Sequence, residues 1–167
     1  MCKTFWLARV VVPAFNCVLG IDPGLKGCCC ILQNDGVIDF FDHEDCNIVE
    51  VIKDVYFKYK PDFCLVEEQQ TRPFQSARAT KTTFVNYGRI IGCLETLGIA
   101  FQIVSPNKWQ KIIPGLVSSK EGVKHKRQIA EYIGRLYPQA DMYTERGRLI
   151  DGRSDALTIA HYGMKHV

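Results

Sequence analysis

No stretch of this 167-residue chain is apolar for long enough to cross a membrane. The most hydrophobic opening stretch, residues 1–16, is interrupted by Lys3, Arg9 and Pro13, and a span needs about 20 apolar residues. Nor does any Cys-x-x-Cys pair occur among the eight cysteines, which removes the usual zinc-ligand spacing. Cys28, Cys29 and Cys30 are consecutive in an apolar run. Strand neighbours point to opposite faces, so these three form no ligand cage. Buried free thiols are expected instead, in a reducing intracellular compartment: the cytoplasm, a host's if the chain is viral, or an organelle. Internal repeats, low-complexity tracts and linkers are also missing, so residues 17–167 read as one domain. Residues 1–16 read as a leading strand or an extension packed on the core, with a signal or organelle-targeting segment as the other reading.

Charge is present but unevenly spread. Residues 1–75 hold 7 basic and 11 acidic side chains, whereas residues 76–167 hold 14 and 7. The second half is therefore the side expected to face a polyanion, although for the asymmetry taken alone an ordinary solvated surface is the favoured reading.

Three short apolar runs, 17–22, 27–33 and 37–41, are separated by Asp-Pro-Gly and Asn-Asp-Gly turn signals and predict an antiparallel meander. Ile48, Val51, Ile52, Val55 and Tyr59 fall at helical spacing before Pro61. A buried strand over 63–66 runs into Glu67, a helix is predicted over 79–97 with Gly98 as its stop, and a fifth strand over 100–104. A short turn at 106–111, a helix from Ser119 to Pro138 and a last helix over 152–164 complete the order. Ser118 and Glu121 match a capping box. The fold class is α/β: a five-stranded mixed sheet with helices on both faces.

Four acids fall where this order can gather them: Asp22 and Glu67 at strand ends, and Asp151 and Asp155 at the start of the last helix. Carboxylates forced together repel one another and must take up a cation or protons. Hard oxygen ligands favour magnesium or manganese, and two such ions serve phosphodiester hydrolysis. The chain reads as a nuclease.

Gly20-Ile21-Asp22-Pro23-Gly24 with Gly27, the strand end Val66-Glu67, and Asp151-Gly152-Arg153-Ser154-Asp155-Ala156-Leu157 resemble the RuvC-like Holliday junction resolvases of the ribonuclease H-like superfamily. Pro73, Gln75 and the segment Pro106-Asn107-Lys108-Trp109-Gln110-Lys111 are similar to the phage, viral and organellar branches. The resemblance implies a ribonuclease H-like fold and a homodimer that uses two magnesium ions, with manganese able to substitute. Its substrate would be branched DNA, a four-way junction cut to leave a 5′-phosphate and a 3′-hydroxyl.

Carried over by position, Asp22 would bridge both ions, and Glu67 would be the second ligand, ahead of the adjacent Glu68. Asp155 and Asp151, four residues apart on one helical face, would complete the set. Asp22 as a turn residue and Asp151 as a helix N-cap are the plain alternatives. Lys126, with Lys124 as its rival, would approach the scissile phosphate. Lys120, Lys124 and Arg127 would bind nucleic acid or else form a solvated helix face. Arg72, Phe74 and Arg78 would enter the junction, Phe74 by stacking on a base or else packing on the core. Lys108 and Lys111 would grip phosphates around a core or helix-docking Trp109. Arg153 would neutralise a carboxylate, touch a phosphate or lie in solvent. A related nuclease for forks, flaps or RNA/DNA hybrids, and a non-catalytic junction-binding protein, are the other readings. An actin-like ATPase would need a second, duplicated domain for which the chain is too short.

Overall fold

The computed structural model describes residues 15–36, 38–43, 46–70 and 76–167. Strands β1 (Cys17–Asp22), β2 (Cys28–Gln33) and β3 (Ile38–Asp42) form the antiparallel meander. Strand β4 (Phe63–Glu67) joins β1 in parallel and β5 (Phe101–Val104) joins β4 in parallel, giving the order β3-β2-β1-β4-β5. The helices are α1 (Ile48–Tyr59), α2 (Ala77–Leu97), α3 (Pro106–Gln110), α4 (Val123–Leu136) and α5 (Asp151–His166). None of the described helices is long and apolar enough to cross a membrane.

Alternation along the strands divides the core into two faces. Leu19, Ile21, Cys29, Ile31, Cys64 and Val66 pack under α1 and α2, against Ile52, Val55, Ile90 and Leu94. Val18, Cys28, Cys30 and Leu32 point the other way, to Ala156, Leu157 and Ala160 of α5 and Ile133 of α4. Leu65 shares that second face with Ile159 and Trp109. The three consecutive cysteines thus split between the faces, and burial pushes each thiol well above its usual pKa. They are free thiols serving as small apolar side chains.

Glycine lets α5 lie directly on the central strand. A Cβ on Gly20 would stand 2.3 Å from the Ala156 carbonyl oxygen, and one on Gly152 would stand 2.5 Å from the Lys26 carbonyl oxygen. The first contact seats the middle of α5 on β1, and the second seats its N-terminus on the β1–β2 turn. Full burial of Leu157 and Ile159 stabilises this docking by about 1.5–3 kcal/mol per side chain. Gly20→Ala would force the helix off the strand.

Two local predictions need correction. The helix expected from Ser119 is split: a 3-10 turn, Ser119–Glu121, precedes α4, and Gly122 between them has φ 52°, outside the right-handed helical region. Ser118 caps the 3-10 turn by accepting from the Lys120 amide at 3.3 Å, in place of a capping box on a continuous helix.

Candidate functional site

Strand alternation decides which acids meet α5. Val18 and Gly20 of β1 face this helix, so Asp22, the last residue of β1, shares their side. In β4, Phe63 and Leu65 face it, so Glu67 does too. The parallel register pairs Ile21 with Val66, which puts the two carboxylates side by side at the carboxyl ends of the central strands. Glu68 lies beyond the strand, and its charge acts instead on Tyr87 of α2, on the opposite face of the sheet.

Each strand-end acid is held. Asp22 Oδ1 accepts from the Gly24 amide at 3.0 Å, so it shapes the Asp-Pro-Gly turn as well as ending the strand. The His43 ring bonds the Gly24 carbonyl through Nε2 at 2.8 Å and braces the same turn. Glu67 Oε1 accepts from Trp109 Nε1 at 3.1 Å. Trp109 is buried, so it docks α3 in the core, as one sequence reading has it, and also orients an acid that sequence reasoning did not connect with it. The available signal was chemical: a buried indole N–H requires an acceptor.

Asp155 lies at the centre of the group. Its Oδ1 is buried with no hydrogen-bond partner among the described residues. Burial, followed by the charges of Asp22 and Glu67, raises its pKa well above the usual carboxylate range; Asp151 adds to this, while Lys126 opposes it. Asp151 is the first residue of α5 and makes no cap bond, the N-cap position belonging to Ile150. Its carboxylate is ion-paired with Lys126 of α4.

Four carboxylates with one lysine among them leave an excess of negative charge. Among the described residues, no three His, Cys, Asp or Glu side chains are grouped so as to hold a metal ion as they stand, with Asp151 paired to Lys126. The donor set nevertheless fits a hard divalent cation: oxygen ligands only, one of them buried without a partner and with its pKa raised first by burial and then by the acids around it.

The remaining expected cations are scattered. Arg78 is exposed in the first turn of α2, and Lys108 and Lys111 are exposed at α3 and its end. Lys120 is exposed on the 3-10 turn, and Lys124 is engaged with Glu121 at 3.2 Å. Arg127 is exposed on α4 and borders the cavity beside Asp151. Arg72 and Phe74 lie outside the described residues. Arg153 is neither solvated nor aimed at the acids of the site. It is only 19% exposed, and it pairs with Asp42 at 2.7 Å and Asp141 at 3.0 Å. It also donates to the Asp141 carbonyl at 2.8 Å and lies over the Phe40 ring. Arg153 therefore ties the start of α5 to the end of β3 and to the α4–α5 loop.

No protein-family model and no curated protein matches the sequence. Solved structures do match in fold. Thermus thermophilus RuvC in complex with a Holliday junction substrate aligns at TM-score 0.57 and 15% identity, over 90% of this chain and 96% of that one. The fowlpox virus Holliday junction resolvase aligns at TM-score 0.57 and 14% identity, over 90% and 99%. The yeast mitochondrial Holliday junction resolvase aligns at TM-score 0.57 and 17% identity, over 91% and 78%. With its five-stranded mixed sheet in the order 3-2-1-4-5, this chain has the ribonuclease H-like fold of the RuvC-type resolvases.

Proposed function

We propose that the chain is a magnesium-dependent endonuclease that resolves four-way DNA junctions. The observation that carries this reading is the buried Asp155 carboxyl, whose Oδ1 has no hydrogen-bond partner among the described residues and whose pKa is raised by burial and by the charges of Asp22, Glu67 and Asp151, beside the carboxyl ends of the central strands. A fold at its stability optimum would not collect these charges, and local conflict of this kind is characteristic of functional sites.

Asp22, Glu67, Asp155 and Asp151 would hold two divalent ions. Magnesium, or manganese in its place, supplies Lewis-acid charge to the scissile phosphate and lowers the pKa of the attacking water when bound. The chain's own residues set the rest. Asp22 is fixed by the Gly24 amide and Glu67 by Trp109, so neither carboxylate must reorganise as charge develops. Lys126, ion-paired with Asp151, is positioned to transfer its charge to a phosphate when that acid takes a cation. The new P–O bond comes from water and the P–O3′ bond breaks, leaving a 5′-phosphate and a 3′-hydroxyl. Symmetric cutting of two strands calls for a homodimer. Exposed Phe84 and Val85 on α2 support an interface on that helix.

The test is incision of a labelled four-way junction beside linear, forked, flap and RNA/DNA hybrid duplexes, with magnesium and with chelator. The proposal expects paired, magnesium-dependent cuts at the junction. Equal cutting of linear DNA would count against a resolvase, and preferential cutting of a fork or hybrid would reassign the substrate.

A further inference from the structure

A cavity of ≈1060 Å³ opens beside the acids and is bounded by a segment to which the sequence assigned no role. One wall is the start of α4, with Lys126 and Arg127; the other is the hairpin 143–149, with Tyr143 and Arg148. Asp151 lies in the lining, so the cavity is continuous with the proposed reaction centre.

The hairpin wall is held in place before any ligand arrives. Tyr143 bridges Leu149 in antiparallel fashion. The Thr144 amide donates to the Arg148 carbonyl at 2.8 Å, the Gly147 amide to the Thr144 carbonyl at 2.8 Å, and the Ile150 amide to the Met142 carbonyl at 2.9 Å. The Arg148 amide donates to Thr144 Oγ1 at 3.1 Å, and Gly147 takes the left-handed turn position with φ 74°. Leu149 and Met142 anchor the two arms in the core. Tyr143 is nevertheless 46% exposed, although an aromatic side chain on a braced hairpin has apolar area that burial would favour.

Charge in the groove favours an anion. Of the acids that line it, Asp42 is held by Arg153 and Asp151 by Lys126, which leaves Glu131. Arg127 and Arg148 have no ion-pair partner among the described residues. The α4 N-terminus, with Gly122 and Val123 in the lining, has no side-chain cap and adds the positive end of a 14-residue helix dipole.

We infer that this groove seats the DNA strand on one side of the scissile phosphate, with Arg127 and Arg148 on its backbone and the Tyr143 ring stacked on a base. The inference rests on the nuclease reading above and adds to it a strand-binding wall built by the α4–α5 loop. An aromatic platform beside two unpaired guanidiniums is the usual combination for single-stranded nucleic acid. The braced hairpin binds without an ordering cost.

Affinity of the full chain for a fluorescent four-way junction is measured across a salt series, with cleavage rates in magnesium, for wild type, Tyr143→Ala, Tyr143→Phe and Arg148→Ala. Tyr143→Ala is expected to weaken binding on the order of tenfold and Tyr143→Phe to restore it, because stacking needs the ring and not the hydroxyl. Arg148→Ala is expected to lower the slope of log affinity against log salt by about 1. Arg148 is exposed, so this variant tests the groove even if loss of the Tyr143 ring disturbs the hairpin. A wild type that cuts junctions, with Tyr143→Ala and Arg148→Ala matching it in affinity, rate and salt slope, would overturn the groove and leave the resolvase standing. A wild type that neither binds nor cuts a junction would remove both.

Discussion

Two charged clusters share the first turns of α5 and show opposite chemistry. Around Arg153, one guanidinium meets two carboxylates, Asp42 and Asp141, through short, well-directed bonds. Asp42 is the main reason that the Arg153 pKa is raised. Around Asp155, two residues on, three further acids meet one lysine, and the pKa of the buried carboxyl is raised well above the usual range. The first cluster nearly balances its charges and fastens three segments together. The second stores repulsion that only protons or cations relieve. On one helix, excess carboxylate separates the proposed reaction centre from a structural tie.

The largest expected effect lies in the unbalanced cluster. Asp22→Asn should reduce magnesium-dependent junction cleavage to background while junction binding persists, read by incision and by gel shift. Loss of binding with chemistry intact would assign Asp22 to the wrong role. Next comes the balanced cluster, where Arg153→Met leaves two partly exposed acids without their guanidinium. A loss of about 2 kcal/mol in urea unfolding is expected, and unchanged stability would mean that the tie contributes nothing. The smallest effect concerns a third titratable group, His161, well down α5 from both clusters. Burial, with help from His166 and Lys165, lowers its pKa to about 4, and its Nδ1 shares a hydrogen bond with the Tyr137 hydroxyl at 2.8 Å. The unfolded chain takes up that proton near 6.5 and the folded chain only near 4, so the His161 contribution is present above 6.5 and is lost as pH falls toward 4. His161→Gln should lose less stability between pH 7 and pH 4.5 than wild type, and equal losses would contradict the assignment.

Much of the frame was legible because its signals are local. The Asp-Pro-Gly turn ends β1 at Asp22, and alternation in the Cys28–Cys30 run correctly puts those thiols on two faces. Asp22 and Glu67 could be picked out because a polar residue closing an apolar strand is visible in one dimension. What could not be read is long-range. Arg153 meets Asp42 across 111 positions, and Trp109 meets Glu67 across 42, and no periodicity encodes such pairs. The break at Gly122 was missed because a lone glycine inside a helical pattern is usually tolerated; here the chain turns at φ 52°. The hairpin 143–149 closes on a single bridge, which leaves no alternating pattern in the sequence.

The central claim is that the acids around Asp155 form a cation site, and thermal unfolding with and without manganese tests it most directly. In chelator the folded Asp155 carboxyl holds its proton to higher pH than the unfolded one, so stability falls as pH rises above the ordinary value of 3.8. At neutral pH, manganese should therefore raise the wild-type midpoint. Asp155→Asn should begin higher in chelator and gain little from the metal. A wild-type midpoint that manganese does not move, or an equal rise in Asp155→Asn, would contradict the account.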